Sequence, residues 1–357
     1  MNRRNLHFIG GVITCIIIVI YSMVSTSAPH PISQAPHPIT QAPHLISQPS
    51  KGDIRLLVIS DLNSAYGSTE YEPEVSRALD LILSWQPDLV LCGGDMIAGQ
   101  KNSLSNAQIQ QMWQGFDRIV AQPLRDLQMP FAFTIGNHDG SASFNIAESR
   151  FTFQRDRDFA QQYWLSHKED TRLNFVDSTN FPFYYTFTFQ DLFFLVWDAS
   201  NSRISPQQLQ WVRGALTSSQ AKNAKMRLMI GHLPLYGVAK GRDKPGEVLN
   251  NADQLREMLE QYNVHTYISG HHHAYYPAHK GNLQMLHAGV LGQGSRSLIS
   301  GNVPPMQNVT LIDIDFESPQ LTTYTTYNMK DLTTVKLEDL PPSLNTHNGK
   351  IFRRDIS

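Results

Sequence analysis

The sequence predicts an α/β protein built from layered, buried sheets. Three observations lead there. Short runs of branched and aromatic apolar residues recur from residue 53 onward, each the length of a strand. Segments with apolar residues at helical spacing separate many of them. Five of the strand-like runs end in a polar residue able to bind metal or move a proton, the place where open α/β sheets carry their sites.

In chain order, DIRLLVIS (53–60) reads as a buried strand and EVSRALDLILSWQ (74–86) as a helix. PDLVLCGGD (87–95) is a second strand, ended by glycines. NAQIQQMWQGFDRIVAQPL (106–124) is helical, and MPFAFTIGNHD (129–139) is a third strand running into a loop. FPFYYTFTF and DLFFLVWDAS flank Gln190-Asp191 as a hairpin or as adjacent strands. SPQQLQWVRGAL opens with an N-cap, Ser205, and puts Pro206 at the first helical position. MRLMIGHLPLY (226–236) is a strand, NADQLREMLEQY (251–262) a helix, VHTYISGHHH (264–273) a strand, and NVTLIDIDF (308–316) the last.

The bulk composition suits a folded protein: 357 residues, 41% hydrophobic, 10% aromatic and 17% charged. That length allows one large domain or two ordinary ones. A net charge of −2 gives no overall attraction to nucleic acid or anionic lipid. Of the two cysteines, Cys15 lies in the N-terminal apolar run, so the folded part has one thiol, Cys92, and no internal disulfide.

Residues 1–27 carry Arg3 and Arg4, then an apolar stretch from about Phe8 to Val24, then small residues. This is a signal peptide or an N-terminal membrane anchor. The basic residues precede the apolar run, so the chain beyond it faces away from the cytoplasm. If uncleaved, the segment makes the membrane a partner. Residues 28–50 form a Pro-rich linker with a heptapeptide repeat, APHPISQ, APHPITQ and APHLISQ, which favours extended chain. His30, His37 and His44 recur in register as incidental polar residues or a weak metal tract. The folded domain spans 51–330, with a C-terminal extension over 331–357.

Asp61 follows the first strand and Asp95 the second. Asn137, His138 and Asp139 follow the third. His232 follows LMIG, and His271, His272 and His273 follow YISG. Glycines precede four of these clusters and allow sharp turns. Alone, each residue reads as a turn former or a structural histidine. Together they make an oxygen-and-nitrogen donor set without thiolate, suited to Mn, Fe or Zn.

The ordered series Asp61, Gly94-Asp95, Gly136-Asn137-His138-Asp139, Gly231-His232 and Gly270-His271-His272-His273 resembles the calcineurin-like metallophosphoesterase superfamily, over about residues 53–275. The resemblance implies a four-layer α/β/β/α sandwich with two mixed β-sheets. It also implies a two-metal centre of divalent or trivalent ions that hydrolyses phosphomonoesters or phosphodiesters with a metal-activated water. Asp95 would bridge the metals, Asp61 and His273 would hold the first, and Asn137, His232 and His271 the second. His138 would be the catalytic acid, and Asn137 and His138 would contact substrate. Two residues apart on extended chain, His271 and His273 would face one side, leaving His272 as a structural or supporting residue. Asp139 either orients the His138 imidazole or serves as a turn residue.

One position departs from the pattern. Asn63 stands where the superfamily usually has His, and would be a weaker ligand. The purple acid phosphatase branch replaces that His with a Tyr from the second motif. Here that motif reads GDMIAG, and Tyr66 is merely near in sequence. A non-catalytic binding module on the same fold is therefore the alternative. Asp198, the Gly-rich LHAGVLGQGSR (286–296), Tyr236, Tyr275 and Tyr276 read as packing or turn residues before they read as substrate contacts. Substrate identity and oligomeric state are not legible.

Overall fold

The computed structural model describes residues 49–318 and 321–356. The expectations for residues 1–27, and for nearly all of 28–50, lie outside the described residues. Among the described residues, no helix is long and apolar enough to cross a membrane.

Two mixed sheets form the body. The smaller runs in the order Thr322–Asn328, Asn308–Ile314, Ile54–Ile59, Leu89–Cys92, Phe131–Phe133. Its last three strands are parallel, and Asn308–Ile314 runs against Ile54–Ile59. The larger runs Ser343–Thr346, Gly349–Arg353, Tyr275–Lys280, Leu283–Ala288, Val264–Ser269, Met226–Ile230, Leu192–Val196, Tyr184–Phe189, Asn174–Asn180. Its four central strands, from Leu283–Ala288 to Leu192–Val196, are parallel and its flanks antiparallel. The expected hairpin is present: Phe189 pairs with Leu192, and Gln190, at φ 50°, turns the chain.

The sheets meet across one buried core. Tyr185 of the larger sheet donates its hydroxyl to the Phe133 carbonyl (2.6 Å) and accepts the Phe133 N–H (3.0 Å). Thr134 Oγ1 donates to the Trp197 carbonyl at 3.1 Å. Helices cover the outer faces. Trp85 stacks on Tyr327 of the smaller sheet, with ring centroids 5.1 Å apart. The helix Ala252–Gln261 packs on Val264–Ser269 and Leu283–Ala288 and buries Leu255, Met258 and Leu259. This is the expected helix–sheet–sheet–helix order.

Two helices differ from their expectation in detail. The 74–86 segment divides into Pro73–Asp80 and Ile82–Trp85. The 106–124 segment begins at a capping box, Ser105 with Gln108, then widens to a π-turn at Asp117–Ala121 before continuing over Gln122–Asp126. Pro123 lacks the N–H that an α-turn needs there, and the wider turn accommodates it. The C-terminal residues add two strands to the larger sheet's edge, where Arg353 pairs with Ala278.

Candidate metal centre

Strands of both sheets end side by side. Asp61 N–H donates to Gly94 O (2.9 Å), Leu62 N–H to Asp95 O (2.9 Å) and Gly270 N–H to His232 O (3.0 Å). Gly94 has φ 93°, and a Cβ on it would stand 2.8 Å from both Gly136 N and His232 Nδ1. A Cβ on Gly270 would collide with Ser60 Oγ and crowd the Asp61 carboxylate. Glycine alone lets these strand ends come so close.

Four candidate ligands adopt left-handed backbone: Asp61 (φ 52°), Asp95 (φ 55°), His271 (φ 67°) and His273 (φ 53°). Each costs roughly 1–3 kcal/mol for a non-glycine residue, and such strain gathers at functional sites. This corrects the extended-chain expectation for the histidine run. The strand ends at Ser269, and His271 to His273 form a turn. His272 does face away: its Nδ1 accepts the Val238 N–H (3.1 Å) and its Nε2 donates to Glu247 O (3.0 Å).

Asp61 and Asp95 are fully buried, and their ligand atoms lie with one from His232 inside a 4.8 Å cluster. Ser60 Oγ donates to Asp61 Oδ2 at 2.6 Å, and the His271 N–H lies 3.0 and 3.1 Å from the two Asp61 oxygens. Asp95 Oδ1 accepts the His138 N–H at 2.8 Å. Among the described residues neither carboxylate pairs with Lys or Arg. Their ionic contacts are His273 Nε2 with Asp61 (3.2 Å) and His232 Nε2 with Asp95 (3.4 Å). Buried charge of this kind requires a cation beside it.

The outer nitrogen of each histidine faces an oxygen that only accepts. His232 Nδ1 donates to Gly93 O (2.8 Å), His273 Nδ1 to Gly294 O (3.0 Å) and His271 Nε2 to Glu247 Oε2 (2.9 Å). In neutral rings the inner nitrogens then carry lone pairs. Two of them, His232 Nε2 and His271 Nδ1, stand 2.9 and 2.8 Å from the same acceptor, Asn137 Oδ1. Acceptors so close repel unless a proton or a cation lies among them. The donor set therefore fits hard or borderline metal ions.

Without metal, a proton takes that place. Burial pushes His232 down, but the Asp95 charge outweighs it and raises the imidazole to about 9. In turn, against the upward push of burial, the charges of His232 and His138 hold Asp95 well below the usual carboxylate range. Burial, then the Arg242 charge, hold His271 well below its ordinary value and keep it neutral.

His138 is half-buried, with Nδ1 3.2 Å from Gly99 O and no hydrogen bond at Nε2 among the described residues. The Tyr66 ring packs beside it, centroids 5.2 Å apart. Asp139 does not orient that imidazole. Its carboxylate accepts the Ile97 and Gly136 N–H groups, both at 2.9 Å, and ties two loops together. Burial and the Asp95 charge raise it to about 7.

Asn63 reaches the centre through its backbone: N–H to Asp95 O (3.1 Å), and O from Gln293 N–H (3.1 Å). Its carboxamide forms no hydrogen bond among the described residues. Asp198 pairs with buried Arg157 at 2.5 Å. Tyr236, Tyr275 and Tyr276 are buried packing residues. The Gly-rich segment backs the centre: Gly292 N–H donates to Asp61 O (2.8 Å), and Gly294 O takes His273. Glu247 and Arg242 were not legible. They sit in an aperiodic loop, and Arg242 Nη1 lies 3.0 and 3.1 Å from the two His271 ring nitrogens.

The sequence profile of the calcineurin-like phosphoesterases matches residues 54–275, more than half the chain. No curated protein matches significantly. Among solved structures, the fold is similar to a purple acid phosphatase isolated from yellow lupin (Lupinus luteus) seeds, with TM-score 0.55 and 15% identity over 81% of this chain. The chain spans about half, 54%, of that enzyme's length. It is also similar to GAP50, described as the anchor in the inner membrane complex of Plasmodium, with TM-score 0.52 and 13% identity over 79% of this chain and 87% of that one.

Proposed function

The chain belongs to the calcineurin-like phosphoesterase family, metal-dependent hydrolases of phosphoric esters, and on that premise we propose that it is a dinuclear phosphomonoesterase or phosphodiesterase acting outside the cytoplasm. The observation that carries the two-metal reading is the set of inner histidine nitrogens facing two buried carboxylates and Asn137 Oδ1, with every outer nitrogen tied off. Asp61 and His273 would hold one ion, Asn137, His232 and His271 the other, and Asp95 would bridge them. Bound there, the ions would polarise the phosphoryl oxygens and acidify a water.

The chain's own residues do the rest. Gly99 O holds His138 Nδ1–H, which aims Nε2 at the centre; in the imidazolium form, with both nitrogens protonated, Nε2 would give its proton to the leaving oxygen and the ring would return to neutral. The Asp95 contact to the His138 N–H keeps that residue's backbone against the centre. Asn137 and His138, adjacent on one turn, would contact the phosphoryl group. The extracytoplasmic address is supported by the Arg3-Arg4 and apolar pattern of the N-terminus.

One observation favours a second reading, a binding module with a weakened first metal site: Asn63 stands where the superfamily usually has His, and its carboxamide forms no hydrogen bond among the described residues. The similarity to an anchor protein agrees with it. Hydrolysis of an aryl phosphomonoester and an aryl phosphodiester, with and without added Mn or Zn, tests the two readings. Turnover of either ester supports the phosphoesterase, and turnover of neither supports the module.

A further inference from the structure

Two loops cross the side of the centre that carries His271 and His273. They are laced together: Ala239 pairs antiparallel with Leu298, Lys240 N–H donates to Ser297 O (2.9 Å) and Ile299 N–H to Val238 O (2.9 Å). Continuing that register sets Gly241 opposite Arg296. A Cβ on Gly241 would stand 3.7 Å from Arg296 Nη1. Arg296 is anchored by its own N–H to His273 O (2.9 Å). The next residue along the other loop, Arg242, lays its guanidinium against His271.

The nearby carboxylates do not balance these charges. Glu247 alone serves Arg242 (3.5 Å), Lys244 (4.0 Å) and His271 (2.9 Å). Asp243 is taken by His347 at 2.8 Å. The Arg296 side chain forms no ion pair or hydrogen bond among the described residues, and its Nε is buried without a partner. A buried donor left so destabilises the fold until an acceptor reaches it. An oxyanion that accepts from the Arg296 fork would satisfy the orphaned donor, and Arg242, one residue beyond the Gly241 that faces Arg296, would bring a second cation to it.

We propose that Arg242 and Arg296 bind a second phosphoryl group of the substrate, so that preferred substrates are phosphoesters whose alcohol carries a further phosphate. The inference rests on the phosphoesterase reading above for its catalytic half. The arginine pair stands on its own geometry.

The test has two arms on the purified full chain. In the first, metal-free protein is titrated calorimetrically with inorganic pyrophosphate. Wild type binds, Arg296→Ala binds about tenfold more weakly or worse, and Arg296→Lys, which keeps the charge but not the fork, falls between. In the second, kcat/KM is compared for diol bisphosphates of two to six carbons and for their monophosphates. Wild type prefers a bisphosphate of one length, and Arg296→Lys lowers that preference. Equal pyrophosphate affinity in all three proteins overturns the inference, whatever the turnover. Arginine-dependent binding without any turnover upholds the anion site and overturns the phosphoesterase reading instead.

Discussion

Glu247 Oε2 stands 2.9 Å from His271 Nε2 and holds that nitrogen's hydrogen away from the centre. The inner Nδ1, 2.8 Å from Asn137 Oδ1, is thereby left as a lone pair. A residue in an aperiodic loop sets which nitrogen of a motif histidine can bind metal. Outer carboxylates of this kind typically set metal affinity by about 10–100-fold.

Glu247→Gln should therefore lower metal affinity by about 10–100-fold without unfolding the chain. Competition with a chromogenic chelator measures it. Unchanged affinity would show that Glu247 only pairs with Arg242.

His138→Ala should retain metal, because only its backbone touches Asp95. Turnover of an aryl phosphate should fall about 10²–10⁴-fold, the usual worth of a positioned acid. Loss of metal with loss of rate would instead make the imidazole part of the centre's framework.

Asp198 and Arg157 form a buried ion pair, and the guanidinium lies between the Phe151 and Phe183 rings at 3.7 and 3.9 Å. Asp198→Ala leaves that charge unpaired and should cost about 3–5 kcal/mol of stability. Denaturant unfolding reads the cost, and metal affinity should stay at the wild-type value. A mild stability loss with weakened metal binding would place Asp198 in the centre.

His287 is buried between the carbonyls of Tyr276 (3.0 Å) and Tyr236 (3.2 Å). Burial pushes it down to about 4, although those carbonyls pull the other way. Its folded pKa lies below the unfolded value, so its contribution is complete above about pH 6.5 and is lost as pH falls through about 4. Between pH 7 and pH 4.5 that share amounts to about 2–3 kcal/mol. His287→Gln should narrow the stability difference between those two pH values by that amount. An unchanged difference would mean that other groups carry the acid sensitivity.

The sequence showed the parts of the centre that local chemistry dictates. A strand run, a glycine and a polar residue recur at Asp95, Asn137, His232 and His271, and the chain turns sharply at each. It also showed the Gln190-Asp191 hairpin and the Ser205 cap, both local devices. Geometry set by distant packing was not visible. His271 and His273 share a centre through left-handed turns, not through strand alternation. Asp139 ties loops because Ile97 and Gly136 happen to lie within reach, 42 and 3 residues away in the chain. Arg242, Glu247 and the edge strands Ser343–Thr346 and Gly349–Arg353 owe their places to tertiary contacts that no periodicity announces.

The two-metal reading stands or falls on metal content per chain, measured on the full protein after loading with Mn or Zn. Turnover of an aryl phosphomonoester and an aryl phosphodiester is taken beside it, for wild type and Asp95→Asn. Two ions per wild-type chain are expected, with turnover of at least one ester and loss of both properties in Asp95→Asn. One ion or none, with no turnover of either ester, would contradict the dinuclear phosphoesterase.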